Sequence, residues 1–167
     1  MKRITAIVAD DYHPEEIGRQ ALQEALHTWA GAADVSLRYV EASRLEEALA
    51  EAPDAVVLFK ENRVAPREDE QARWMTEEAE EAIIRYVQDG GGWLAWHSGL
   101  ASYDPEGAYA DLLRGHFRYH PHEHQVVRYT PADSGFPGLT RAFEFVDEHY
   151  FVECDVDRTE VFLRSSS

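Results

Sequence analysis

Cysteine is all but missing: Cys154 is the only one in 167 residues. An internal disulfide is therefore excluded, and a reducing compartment, the cytoplasm, is the expected setting. Positive charge is scarce too. Sixteen lysines and arginines stand against 32 acidic residues, for a net charge of −16. Phosphate binding needs a basic footprint, so a nucleic-acid partner is not expected. No apolar run approaches the roughly 20 residues that cross a bilayer, so no membrane partner is expected either. Met1-Lys2-Arg3-Ile4 leads straight into an apolar run and lacks a signal-peptide layout. Internal repeats and low-complexity linkers are absent as well. What remains is a chain with 44% hydrophobic residues, enough for a real core in one domain over 1–167. Its acidity sits mostly on solvated helix faces such as Glu77-Glu78-Ala79-Glu80-Glu81.

The stretch with most character is Gly90-Gly91-Gly92-Trp93-Leu94-Ala95-Trp96-His97-Ser98-Gly99. Glycines close a helix, apolar residues follow, and the run meets a polar corner. A central, buried parallel strand that delivers His97 or Ser98 to a sharp turn reads this way. Ile4-Thr5-Ala6-Ile7-Val8-Ala9 and Ala55-Val56-Val57-Leu58-Phe59 are further buried strands, and residues 35–40 alternate like another. Residues 15–29 carry apolar side chains at helical spacing, with Gly31 as the stop. Ser43-Arg44-Leu45-Glu46 has the capping-box pattern, and Thr76 is placed to cap the helix after it. Residues 64–73 read as a loop. Strand–helix alternation predicts an α/β fold with a mostly parallel sheet covered on both faces. Beyond Gly115 the pattern changes to short strands near Val126, Phe143, Phe151 and Val161.

Ligands of such sheets bind where the strands end. The loops there carry His13, Glu61 with Asn62, and His97 with Ser98. Six of eight histidines lie between positions 97 and 149, with His116, His120, His122 and His124 clustered before Asp147-Glu148-His149. Imidazole and carboxylate serve equally as ligands for zinc and as acids and bases near neutral pH. His120-Pro121-His122-Glu123-His124 alternates and matches no tight zinc motif, so a solvated His-rich loop explains it as well as a metal cage. The economical role for Ser98 is capping the turn after the corner. His97 has the stronger functional case.

The Gly-rich strand ending in His97-Ser98, then Gly115-x-Phe117-x-x-His120-Pro121, then Asp147-Glu148-x-Tyr150 resembles the trehalose-utilisation (ThuA-like) family. His13-Pro14-x-Glu16 is similar to its His-Pro segment. The resemblance implies a flavodoxin-like three-layer sandwich, the class I glutamine amidotransferase-like fold. His97 would stand at the elbow where amidotransferases keep cysteine, so glutaminase chemistry is not expected. Two departures stand out. Phe136-Pro137-Gly138-Leu139-Thr140 lacks the histidine usual before the Asp-Glu-x-Tyr motif. The chain also stops at Arg164-Ser165-Ser166-Ser167, where the family continues with a strand and a Gly-His segment, so the expectation is either a chain truncated at its C-terminus or an active site short of a member.

The expectation is an enzyme of trehalose or related disaccharide and keto-sugar utilisation, hydrolytic or lyase-like. His97 and Glu148 are its catalytic residues, and His13, Glu61, Asn62, Ser98 and Tyr150 bind the carbohydrate. His97, His120 and Glu148 are the candidate ligands if zinc or another divalent metal assists. Glu148 would reach His97 if the strand near Phe143 ran beside the central sheet. The alternative is a non-catalytic sugar-binding or regulatory module. Trp29, Trp74 and Trp93 suggest a homodimer, because such aromatics favour interfaces.

Overall fold

The computed structural model describes residues 1–28, 34–132 and 138–167. The expectations placed on Trp29, Gly31, Phe136 and Pro137 fall outside them. The chain divides into two compact units, Met1–Leu113 and Arg114–Ser167.

In the first unit β1 (Lys2–Val8), α1 (Glu15–Thr28), β2 (Val35–Tyr39), α2 (Leu45–Ala50) and β3 (Ala55–Phe59) alternate. A hairpin of β4 (Arg63–Ala65) and β5 (Asp69–Arg73) follows, then α3 (Glu77–Gln88), β6 (Gly92–Ala95) and α4 (Ala108–Leu113). Four strands form one wholly parallel sheet in the order β2-β1-β3-β6. Register explains how both faces are covered. Ile7 pairs with Leu58 and Val8 with Phe59, so alternate residues of β1 and β3 point to opposite sides. Ile7, Val56 and Leu58 pack with Leu45 and Leu49 of α2, Ile83 and Tyr86 of α3, and Tyr109 of α4. Each buried aliphatic side chain there contributes about 1.5–3 kcal/mol. The other face meets α1 at Gly18, where an added Cβ would lie 2.8 Å from the Phe59 ring and 3.2 Å from Val8. Only a glycine lets the helix approach so closely. The α/β sandwich expected from the apolar runs is therefore present.

Several local expectations change. The Gly-rich strand is an edge, not the centre: among the described residues β6 pairs with β3 alone, and Leu94 is exposed. Residues 64–73 are not a plain loop but mostly the β4–β5 hairpin, with Arg63 opposite Arg73. Strand propensity there is weak; the pairing is secured at the base by the Trp74 amide on the Asn62 carbonyl. The capping box fails because Ser43 lies inside a 3-10 turn, Ala42–Arg44, that runs into α2 with no side-chain cap. Thr76 does cap α3, its hydroxyl accepting from the Ala79 amide at 3.2 Å. Trp74 and Trp93 pack against the core, and their indole N–H groups donate to the Glu61 carbonyl and the Tyr109 hydroxyl. Their size therefore serves folding and no longer argues for a dimer.

The second unit is antiparallel. β7 (Gly115–Tyr119), not anticipated as a strand, pairs with β10 (Phe151–Cys154). β8 (Gln125–Pro131) lies between β9 (Phe143–Asp147) and β11 (Leu163–Ser166). The strand at Phe143 thus belongs to its own three-stranded sheet rather than to the parallel one, so the route proposed for Glu148 along that sheet is withdrawn.

Candidate functional site

The parallel sheet winds one way from β1 to β2 and then returns across β1 to β3. Its strand order therefore reverses between β1 and β3, the position where α/β sheets bind ligands. The loop after β1 supplies Asp10 and His13, and the loop after β3 supplies Lys60, Glu61 and Asn62. His97 enters from the end of β6, beside β3.

Asp10 organises this edge. Its side chain is wholly buried. One carboxylate oxygen accepts from the backbone amides of Tyr12 and His13, both at 3.0 Å, and lies 2.7 Å from His13 Nδ1. The other accepts from the Glu61 amide at 3.0 Å, tying the β1 and β3 loops together. Burial alone would push this carboxyl up. Interactions with the His13 ring, the Ser98 hydroxyl and the Glu61 amide outweigh burial and hold it well below the usual carboxylate range. Asp10 therefore stays ionised. A carboxylate can only accept, so His13 keeps its proton on Nδ1 and turns Nε2 outward.

That Nε2 lies 3.1 Å from Nε2 of His97. The two rings meet edge-on at 88°, and Phe59 touches both, at 5.1 and 5.6 Å between centroids. Phe59 in turn stacks on Trp96. An apolar wall thus backs one side of the imidazole pair. His97 sits at φ +51°, in the left-handed region that a β-carbon resists. The corner is fixed by the Trp96 amide on the Leu58 carbonyl and by the close approach of Gly99, where a Cβ would come within 2.2 Å of that same carbonyl oxygen. The result is a line from carboxylate to imidazole to imidazole, able to pass one proton along it.

Ser98 does not cap the turn. It is the second residue of a 3-10 turn over His97–Leu100 whose cap, Trp96, makes no side-chain bond. Its hydroxyl is buried, helps to hold down Asp10, and completes no hydrogen bond of ordinary geometry among the described residues. Glu61 is also buried. One of its oxygens takes both Arg63 Nε and the Ser102 hydroxyl at 2.8 Å, and the other is sealed away without a partner among the described residues. The Asn62 side-chain oxygen accepts the Met75 amide N–H at 3.1 Å.

The remaining candidates lie in the second unit. Glu148 meets His120 Nε2 at 3.2 Å, while His120 Nδ1 contacts the Pro121 carbonyl at 2.8 Å. The His120 and Tyr150 rings are stacked, 5.6 Å apart and 7° from parallel, and Phe117 adjoins Tyr150. Asp147 holds this corner by accepting the Tyr129 hydroxyl and the Glu148 amide. His122 and His124 are exposed, in keeping with a solvated loop. His149 is buried with both ring nitrogens on serine hydroxyls, Ser167 at 2.9 Å and Ser165 at 3.0 Å, and serves packing. The residue that sequence reading missed is Asp10. A carboxylate directly after a buried strand, three residues before a histidine, was the available signal.

Comparison with known proteins fits this description. The family model described as trehalose utilisation, ThuA, matches residues 7–167. No curated protein matches. Among solved structures, a ThuA-like protein from Bacteroides uniformis is similar in fold, with a TM-score of 0.61 at 18% identity. The likeness covers 90% of this chain and 60% of that one, so the chain spans less than two thirds of that protein's length.

Proposed function

The chain belongs to the ThuA trehalose-utilisation family, and from that membership we propose that it acts on trehalose or a related disaccharide or keto-disaccharide by acid/base catalysis. The observation that carries the reading is the Asp10–His13–His97 line at the sheet's switch point. In the proposed reaction His97 takes a proton from the substrate, or from the water that attacks it, and returns it to the leaving group. His13 shares the added charge and Asp10, held ionised, stabilises it. Glu148, paired with His120 in the second unit, is kept as a proposed catalytic residue, and Tyr150 beside that pair as a proposed carbohydrate-binding one. Glu61 and Ser98 brace the loops, and Asn62 is kept as a carbohydrate-binding residue.

The test is turnover of a panel of disaccharides and 3-keto-disaccharides by the purified protein. His97→Ala is expected to lower kcat by about 10²–10⁴-fold, the usual range for a general acid or base. A substrate turned over equally well by parent and mutant removes His97 from the mechanism. Sugar binding without turnover, with or without added metal, would favour the non-catalytic module instead.

A second reading has one observation behind it. Two nitrogens on a tetrahedral zinc lie about 3.3 Å apart, given Zn–N bonds of about 2.0–2.1 Å. The His13–His97 separation of 3.1 Å is close to that. His13 and His97 would hold such an ion, which would supply a water acidified for attack. Asp10 would orient His13 from behind, as carboxylates do for metal-bound histidines. Elemental analysis and activity after chelation decide between the two readings. Full activity in metal-free protein supports the proton relay.

A further inference from the structure

The first unit has a cavity of about 630 Å³ beside the β4–β5 hairpin, lined by Asn62, Arg63, Met75, Glu77, Glu80 and Tyr103 among others. Its walls come from the hairpin, from the first turn of α3 and from the segment after the His97 corner. Sites for small ligands have volumes of about 300–1,000 Å³, so a sugar fits easily.

Its chemistry is selective. Arg63 is fixed in the wall by its bond to the buried carboxylate of Glu61, which leaves its terminal N–H groups as positioned donors. Asn62 has committed its oxygen to Met75, so the group left to turn to the cavity is its Nδ2 donor. Glu70 and Glu77 offer acceptors. Glu80 keeps one oxygen for a ligand, because the other accepts the Tyr109 amide at 2.7 Å. Tyr103 and Met75 add apolar surface. Donors and acceptors thus share the lining with an apolar patch, which suits a ring with hydroxyls on its rim and C–H groups on its face. Four carboxylates in the lining (Glu70, Glu77, Glu80 and Asp104) face two guanidiniums (Arg63 and Arg73), so the balance is −2. That opposes an anionic ligand.

We propose that this cavity is a binding site for one uncharged hexose unit, and that it discriminates against phosphorylated or carboxylated sugars. The proposal rests on the carbohydrate reading above and deepens it: the cavity holds sugar, and the imidazole pair does the chemistry. Two strained or committed groups support a built wall rather than an accidental hollow. Ser102 adopts φ +66° and places its hydroxyl on the same Glu61 oxygen that anchors Arg63.

The test is titration calorimetry with glucose, trehalose and glucose 6-phosphate on the full chain. The variants are Gln71→Trp, which plugs the cavity from an exposed hairpin position, Glu77→Ala, which removes an acceptor, and His97→Ala. The expected result is saturable binding of glucose or trehalose, weakened at least about tenfold by either cavity variant. His97→Ala should leave it within about twofold. Glucose 6-phosphate should bind at least about tenfold more weakly than glucose. Comparable thermal melting of the variants excludes a folding defect, and Glu77→Ala carries the test if Gln71→Trp does not fold. Affinity lost in His97→Ala but kept in both cavity variants would overturn the cavity proposal and leave the catalytic reading intact. Equal binding of glucose and its phosphate would overturn the charge argument. Turnover without any effect of Glu77→Ala on KM would likewise sink the cavity alone.

Discussion

Asp10 has the strongest electrostatic case in the molecule. It is buried, ionised, and bonded to groups from two loops. Its folded pKa lies below its unfolded value of about 3.9, so its contribution to stability is full above that pH. The contribution is lost as the pH falls from about 4 toward the folded pKa. Asp10→Asn should cost about 3 kcal/mol in urea unfolding at pH 7, because charge-assisted bonds are lost and an amide donor would face amide donors. It should also flatten the acid limb of the stability–pH curve, and should lower any turnover along with that of His97. An unchanged acid limb would show that Asp10 is not the group concerned. His97 gives a second residue-scale prediction. At φ +51° an alanine keeps the strain and a glycine relieves it. His97→Gly should therefore be more stable than His97→Ala by about 1 kcal/mol, although both lack the imidazole. Sequence alone pointed to His97 and His13 through their places after apolar strands. It could not show that the two imidazoles touch, because positions 84 apart are joined only by the order of strands in the sheet.

Elements were legible where a strong physical pattern had no competitor. The strands at Ile4, Ala55 and Trp93 were found from unbroken apolar runs, and α3 from its amphipathic spacing and Thr76. Thr76→Ala should cost about 1 kcal/mol, read as a shift of the denaturation midpoint. A loss near zero would mean that water replaces the hydroxyl without cost. Elements were misread where pattern was weak or ambiguous. The capping-box pattern at Ser43 is equally compatible with a 3-10 entry, and tertiary packing of Leu45 selected the latter. In the β4–β5 hairpin one strand is only three residues long and the other is mostly polar, so no alternation announced it. Whether β6 was central or an edge also lay beyond reach, since both read as apolar. What was legible in that stretch was the need for glycine. Gly99→Ala would drive a methyl into the Leu58 carbonyl and should cost about 3 kcal/mol or more, with the His97 corner displaced. A variant as stable as the parent would show that the turn can open.

At the scale of the whole molecule the two units differ in kind. The described core cluster belongs entirely to the first: Ile7, Val56, Leu58, Ile83 and Tyr109 unite strands and helices from most of its length. Among the described residues, the second unit buries Val127 as its only fully enclosed aliphatic, and leaves Phe143, Phe145, Val126, Val146 and Val152 substantially exposed. Its sheets rest more on ladder bonds and stacked rings, such as Tyr129 with Phe143 and Phe145, than on a buried interior. A change of pattern after Gly115 signalled this much in the sequence. The poverty of its core did not show, because Phe143 and Phe145 read as interior residues until their exposure was known. Stability within a chain follows local burial, and poorly buried segments open at lower free energy than the global transition. Native-state hydrogen exchange should therefore find the most protected amides in β1, β3 and α3, exchanging only by global unfolding. Amides of β8 and β9 should exchange through a smaller opening, with a weaker dependence on denaturant. Equal protection in both sets would mean that the exposed aromatic face of the second unit is covered in solution. The first place to look for that cover would be a second copy of the chain, by light scattering at the concentration of the exchange experiment.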